Sequence, residues 1–350
     1  MNKENNKIYL VTGASGHLGN TVVRMLLQNG ERVRCLILEK EIPVSLQDLN
    51  CEIFHGDICH EGSLEKFFSD LEGLEVYVLH LAGMISIAGH INPLLMQVNV
   101  AGTDNVIKAC QKYQVKRLLY CSSVHAIPEK KYNAPISEVY EFNSDWVKGA
   151  YAKTKAMASQ MVLDAGKNGL DVVIVHPSGI VGPYDYLSTG HINQVIEDFL
   201  KGKLRTIVNG GYDIVDVRDV ALGILLALSR GVNGECYILS NQYYSIQTML
   251  DLVANIGEKP PISRVLCLSA VRIFAPIIEW WAKISHRRPL FTDYSLYTLD
   301  SNANFSHAKA SKELGYQPRN FIETLIDTVR FIKSRDSAAV IKVPKKVIES

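Results

Sequence analysis

The sequence predicts an α/β fold built on a doubly wound parallel sheet, and three observations carry that expectation. Short β-branched runs alternate with longer helix-patterned segments through the first half of the chain. Several of the runs are apolar on both faces, as parallel strands covered by helices must be. A glycine-rich turn joins the first run directly to the first helical segment. Strand–helix alternation of this kind favours right-handed crossovers.

Six strands are expected at 7–12, 32–38, 51–55, 76–80, 117–121 and 172–176. Between them, 17–28, 93–113 and 151–167 place apolar residues at helical spacing, so each helix can lay one stripe on the sheet. After Pro183 the rhythm changes. A loop at 184–190 leads into a helix at 192–200, strand pieces around Thr206 and Val215, a helix at 220–228 and a strand at 236–239. Helical patterns near Thr248 and Phe274 and a last one at 321–332 complete the ordered chain. Residues 334–350 are expected to form a mobile tail. The chain is therefore expected to divide into a sheet domain at 1–183, joined by strand pieces within 206–240, and a smaller α/β part over most of 184–333.

Composition narrows the function. The 350 residues are 47% hydrophobic and 21% charged, which excludes a disordered or fibrous chain. At about 150 residues per domain, this length makes about two. Thirty-seven Lys and Arg against 36 Asp and Glu leave +1, so no nucleic-acid partner is expected. None of the seven cysteines stands in a C-x-x-C pair, and Cys35 and Cys121 sit in apolar runs; neither a disulfide framework nor a metal site is expected. No apolar signal core precedes the first strand, so a cytoplasmic protein is expected. The apolar stretch 273–282 is too short for a bilayer that needs about 20 residues. It reads as a helix on a core, although Trp280-Trp281 keeps a membrane-surface contact open.

The first strand ends in Thr12-Gly13-Ala14-Ser15-Gly16-His17-Leu18-Gly19, and a helix starts at once. Glycines at 13, 16 and 19 let the chain turn sharply, approach a pyrophosphate and pack the helix on the sheet. The helix N-terminus adds free N–H groups and a positive dipole end. The spacing G-x-x-G-x-x-G is one residue longer than G-x-G-x-x-G. A plain tight turn is the alternative, but the position at the first strand–helix junction favours a dinucleotide. Glu39 lies about 20 residues on and could accept ribose hydroxyls, whereas Arg34 and Lys40 could meet a 2′-phosphate; NAD and NADP both stay open. Asp57, in Gly56-Asp57-Ile58, could bind an adenine amino group or cap the helix near Gly62. Leu81-Ala82-Gly83 closes strand four with residues small enough for close approach, and His80 reads as core.

Strand five ends Tyr120-Cys121-Ser122-Ser123, and a later helix opens Tyr151-Ala152-Lys153-Thr154-Lys155. Tyr151 and Lys155 are four apart and share a helix face. A carbonyl reductase needs a proton donor beside the hydride acceptor. A phenol titrating near ~10 serves only if a cation such as Lys155 favours its anion. A serine at a strand's C-terminal end would polarise the substrate oxygen.

These motifs together resemble the extended short-chain dehydrogenases/reductases, also called the NAD-dependent epimerase/dehydratase family. Further matches are Asn99 in Val-Asn-Val-Ala-Gly-Thr, His176-Pro-Ser-Gly-Ile-Val-Gly-Pro183, Val215-Asp-Val-Arg-Asp-Val-Ala221 and Lys309-Ala-Ser-Lys-Glu-Leu-Gly-Tyr316. The C-terminal matches are most similar to the dihydroflavonol reductase-like branch, itself similar to hydroxysteroid dehydrogenases. The resemblance implies a Rossmann-type fold and a cofactor, NAD or NADP, held by Gly13, Ser15, Gly16, His17, Leu18, Gly19, Glu39, Asp57, Ile58, Leu81, Ala82 and Gly83. It implies Tyr151 as acid/base, Lys155 on the nicotinamide ribose, Ser123 rather than Ser122 on the substrate oxygen, and Asn99 steadying the helix beside Lys155. Pro177 and Ser178 would border the nicotinamide. No role carries over to His125 or His176. Where plant-type members have an Arg for the 2′-phosphate this chain has Leu38, and where sugar epimerases have an acid it has Ile37.

The expected chemistry is hydride transfer between the cofactor and a small-molecule carbonyl or secondary alcohol. A nucleotide-sugar epimerase or dehydratase with tightly held NAD, and a cofactor sensor without chemistry, are the competing readings. Apolar and aromatic residues in 184–191 and near Met249 and Phe274 hint at a greasy substrate. The resemblance also leaves open a homodimer through the 93–113 and 151–167 helices.

Overall fold

The computed structural model describes residues 6–86, 92–131, 134–188, 190–271 and 293–337. Seven parallel strands form the central sheet: β1 (Lys7–Thr12), β2 (Arg32–Ile37), β3 (Glu52–His55), β4 (Glu75–His80), β5 (Arg117–Cys121), β6 (Val172–Pro177) and β10 (Glu235–Leu239). Their spatial order is β3-β2-β1-β4-β5-β6-β10. All six expected strands are present, within a residue of the expected bounds.

Alternation along each strand decides what covers each face. Ile8 and Leu10 of β1 pack with Leu118, Tyr120, Val172 and Ile174 against α2 (Glu61–Phe67), α4 (Gly102–Lys112) and α5 (Ala150–Lys167). Tyr9 and Val11 pack with Leu119, Cys121, Val173 and Val175 against α1 (His17–Gln28) and α7 (Val217–Arg230). The near-continuous burial of these strands is the consequence of having helices on both sides.

The expected 93–113 helix is not uniform. A short α3 (Pro93–Met96), capped by the Asn92 side chain, passes through a π-helical turn (Gln97–Ala101) into α4. That turn inserts Asn99, and such bulges cluster at functional sites.

The remaining elements build a smaller part. β11 (Gln242–Ser245), β9 (Gly211–Asp216) and β7 (Gly179–Val181) form a three-stranded sheet, and β12 (Arg264–Leu266) pairs with β8 (Thr206–Val208). Of the strand pieces within 206–240, only β10 joins the large sheet. Helices α6 (His191–Leu200), α8 (Ile246–Gly257) and α11 (Phe321–Ser337) enclose a separate core of Ile196, Phe199, Met249, Val253, Leu325 and Val329. Two further helices, α9 (Asp293–Asp300) and α10 (Ala308–Leu314), were not expected as such. Helix α11 runs to Ser337, four residues into the stretch expected as tail. The pattern near Phe274 and the 273–282 stretch lie outside the described residues. Among the described residues no helix is long and apolar enough to cross a membrane.

Two fully buried histidines pin these layers. His80 bonds Thr12 Oγ1 at 2.8 Å and Thr103 Oγ1 at 3.0 Å, joining β4 to β1 and α4, and its ring stacks on Tyr120. His176 Nδ1 donates to the Ser123 carbonyl at 3.0 Å and its ring stacks on Phe142.

Burial, with Lys155 adding to it, pushes His80 down to about 3 from its ordinary 6.5. Burial likewise pushes His176 to about 4. Both folded values lie below the unfolded one, so the unfolded chain takes up these protons first. Stability present above pH 6.5 should fall as pH drops toward 4 in a thermal-unfolding series, with this pair contributing up to two protons to the slope and His17, His125 and His191, which burial also lowers, adding to it. Leu10, fully buried in β1, should cost about 2–5 kcal/mol as Leu10→Ala by denaturant unfolding.

Candidate active site

Strand order reverses between β1 and β4, so the connections leaving them go to opposite faces and a crevice opens at their C-terminal ends. The glycine turn lies there, and its three glycines do different work. Gly13 sits at φ +68°, and a Cβ on it would fall 2.7 Å from the Ala82 nitrogen. A Cβ on Gly19 would fall 2.0 Å from the Gly13 carbonyl oxygen, so the first turn of α1 can lie on the loop only with glycine there. Gly16 has an ordinary φ of −65°, and a Cβ would meet only the Gly13 oxygen at 3.4 Å. No packing within the chain calls for glycine at 16. Helix α1 also begins with no side-chain cap and no acid in its first turn. Free N–H groups, a positive dipole end and an open surface at Gly16 are what a pyrophosphate requires, so the residues fit a dinucleotide.

The rest of the expected cofactor set surrounds this crevice. Ser15 is buried and its carbonyl accepts from Ser45 Oγ at 2.7 Å. His17 Nε2 donates to the Pro183 carbonyl at 2.8 Å, and burial lowers its imidazole's affinity for protons. Together with Asn20 Nδ2, which donates to the Tyr184 carbonyl at 3.1 Å, it ties α1 to the 183–188 loop. Leu18 packs on the cluster beneath α1. Leu81 and Ala82 follow β4 with their N–H groups on Thr12, at 3.3 Å each. Glu39 and Lys40 are exposed beyond the end of β2.

Two alternatives from the sequence are corrected here. Arg34 does not reach a phosphate site: it is buried, bonding Glu52 at 2.8 Å and the carbonyls of Phe67 and Ser69 at 3.0 and 2.7 Å. Its neighbour in sequence, Cys35, faces the opposite side of the sheet, which is why a charge could hide in an apolar run. Asp57 does not cap α2, which begins at Glu61. Its Oδ1 accepts the Cys59 N–H at 2.9 Å and closes a local turn. Ile58, next to it, packs where a Cβ on Gly102 would stand.

The proposed chemistry gathers at the ends of β5 and β6. The two serines differ in their partners. Ser122 Oγ is buried against Ser159 Oγ at 2.7 Å, while Ser123 Oγ accepts the His125 N–H at 3.3 Å and eases the rise in the Tyr151 phenol's proton affinity. Tyr151 and Lys155 leave α5 one turn apart. Lys155 is 4% exposed, and its Nζ donates to the Cys121 carbonyl at 2.8 Å and to the Tyr120 hydroxyl at 3.2 Å. It also lies 4.8 Å from the centre of the Tyr120 ring. Burial pushes Lys155 down to about 8. Burial pushes Tyr151 up, the Cys121 thiol adds to this, and Ser123 opposes it. The sequence suggests that Lys155 draws Tyr151 toward its anion; in this structure burial raises the phenol's affinity for its proton.

Supporting groups surround the pair. Asn99 Nδ2 donates to Thr154 Oγ1 at 3.1 Å and to the Met84 carbonyl at 2.9 Å, and its Oδ1 accepts from the Met84 N–H. It thus clamps α5 to the segment after β4. A Cβ on Gly83 would come 3.3 Å from Lys155 Nζ. Pro177 ends β6, and the Ser178 hydroxyl is committed to Asp213 at 2.5 Å.

Sequence reasoning passed over three neighbours. His125 stands edge-on to Tyr151 with ring centres 6.1 Å apart, and Tyr294 lies 6.5 Å beyond it. Tyr120 holds Lys155. Tyr120 and His125 flank the serines in the chain, which was a usable signal; nothing local marks Tyr294. Beside His125 a cavity of about 220 Å³ opens, lined by Ile127, Ile136, Trp146, Val147 and Phe305 with Glu129 and Lys148 among its polar residues.

Comparison with known proteins agrees with this geometry. The model of the NAD dependent epimerase/dehydratase family matches residues 9–240. A protein of Synechocystis sp., whose name proposes it as a dihydroflavonol 4-reductase, is 32% identical over 330 residues, covering 93% of this chain and 94% of that protein. Sterol demethylase protein B of Methylococcus capsulatus is 31% identical, covering 93% and 98%. The solved structure of gox2253 is 32% identical with a TM-score of 0.80, covering 94% and 98%. The chain belongs to the NAD dependent epimerase/dehydratase family of extended short-chain dehydrogenases/reductases, and it is an NAD(P)-dependent oxidoreductase.

Proposed function

We propose that the protein interconverts a carbonyl and a secondary alcohol by hydride transfer, with Tyr151 as acid/base, Ser123 on the substrate oxygen and Lys155 assisting. The observation that carries this reading is the Lys155 ammonium buried at the end of β5, with Ser123 just beyond that strand and Tyr151 one helical turn before the lysine. A serine hydroxyl and a protonated phenol converging on one point can polarise a carbonyl oxygen and hand it a proton. The nicotinamide supplies or accepts the hydride when bound. Gly13, Gly16, Gly19 and the α1 N-terminus would hold the pyrophosphate, and Lys155 the nicotinamide ribose. In the alcohol-forming direction Tyr151 gives up its proton beside the Lys155 ammonium, which offsets the charge left on the phenol.

The names of relatives support an apolar substrate. Among the relatives, one is named for a sterol, and a protein of Stigmatella aurantiaca, 28% identical, is named a ketoreductase of a farnesyl-bearing dihydroquinoline oxide. We extend this to the present chain as a ketone or alcohol on a largely apolar skeleton.

Fluorescence titration with NAD, NADH, NADP and NADPH, followed by a screen of apolar ketones and alcohols, tests the reading. Tyr151→Phe should lower turnover by about 10²–10⁴-fold with cofactor affinity unchanged. Equal turnover by Tyr151→Phe and wild type would refute the mechanism. The glycines give a second expectation. Gly16→Ala should fold normally yet bind NADH at least about tenfold more weakly, whereas Gly19→Ala should lower the melting temperature, because only the latter Cβ overlaps backbone.

A further inference from the structure

A charged lysine carries three N–H donors and no acceptor. Lys155 uses two of them within the chain, on the Cys121 carbonyl at 2.8 Å and on the Tyr120 hydroxyl at 3.2 Å, and these are its side-chain hydrogen bonds among the described residues. Tyr120 offers a second contact as well. Its ring centre lies 4.8 Å from Lys155 Nζ, inside the cation–π range of about 6 Å. The ring cannot drift from this position. It is fully buried and stacks on His80 with centres 5.5 Å apart, and His80 is itself bonded to Thr12 and Thr103. Burial raises the Tyr120 phenol's proton affinity well above its ordinary value, so its oxygen stays a neutral acceptor wherever the lysine titrates. The other groups around the ammonium are few. His80 on β4 and His176 on β6 are each lowered, first by burial, and stay neutral; the Cys121 thiol on β5 favours the charged lysine; burial raises Tyr151 on α5. Burial lowers Lys155 itself to about 8, close enough to neutral pH for one hydrogen bond to decide its charge.

We propose that Tyr120 is a positioning residue whose hydroxyl and ring face keep Lys155 charged and leave its third N–H for the nicotinamide ribose. The inference rests on the oxidoreductase reading and adds the group that sets the pH range over which the lysine acts. A hydroxyl that accepts from an ammonium favours the charged form, so removing it lets the proton leave at lower pH. Tyr120 acts through Lys155 alone, and its own proton takes no part in the chemistry.

The test follows the affinity of the full chain for NADH by fluorescence from about pH 6 to about pH 10, and needs no substrate. In wild type the affinity should fall as pH rises past about 8, and Lys155→Met should abolish that step. Tyr120→Phe keeps the ring and its stack on His80 and removes only the hydroxyl. Its midpoint should drop by about one pH unit, about a tenfold loss of proton affinity, as one hydrogen bond to a charged group allows. Tyr120→Leu removes the ring face as well and should lower the midpoint further. A purely structural role would weaken NADH binding equally at every pH, lower the melting temperature and leave the midpoint in place. A midpoint unmoved in both Tyr120 variants, with the step abolished in Lys155→Met, would overturn the proposal and leave the oxidoreductase reading standing. A step that persists in Lys155→Met would take the lysine off the ribose and overturn both the proposal and the role given to Lys155.

Discussion

A buried ammonium without a carboxylate is the constraint around which this site is arranged. Lys155 has little access to water, and among the described residues it forms no ion pair. Desolvating a cation is costly unless dipoles replace the lost water. Here the substitutes are the last carbonyl of β5, the hydroxyl of Tyr120 and the face of the same ring. Several other choices follow from that arrangement. Tyr120, one residue before the end of β5, must turn its ring to the face where α5 packs. Gly83 must lack a side chain, because the ammonium occupies the space. His80 and His176 must stay neutral, since a second cation in the same dry region would repel the first. The lysine is held by the end of the sheet, and through α5 it fixes where Tyr151 stands.

The sheet supplies the rigidity this arrangement needs. Helix α5 is rich in small buried residues, among them Ala152, Ala156, Ala158 and Ser159, so its axis lies close to the strands. Close approach lets Ser159 reach Ser122 and lets Asn99 reach Thr154 from the π-helical turn. Neighbouring strands and helices thus lock the two ends of the proposed catalytic set. On the opposite side, Asp216 caps α7 and pairs with Arg218, which also reaches Asp327 on α11. That network, with Arg319 on Asp219, fastens the smaller part to the large sheet.

Local pattern made most of the sheet legible. β-branched runs apolar on both faces can only be covered strands, and the glycine turn after the first of them marked the crevice before any coordinates. The Tyr151–Lys155 spacing was likewise readable, because four residues on a helix bring two side chains to one face. Less was legible where a residue's role depends on distant neighbours. Arg34 carries a group a cofactor phosphate could use, yet it answers to Glu52 and to carbonyls after α2. The smaller sheets, α9 and α10 were obscured because their short segments gain stability from tertiary contacts rather than from periodicity.

By itself, then, the chain's order of residues determined the layering, the crevice and the identity of the phenol, ammonium and serine, since these depend on periodicities of two and 3.6 residues and on turns built from near neighbours. Only the tertiary structure decided that Ser122 is taken up by Ser159, which glycine is free of packing duty, and that Tyr294 packs beside His125. Those outcomes depend on contacts between segments far apart in the chain, whose side chains compete for the same few ångströms of space.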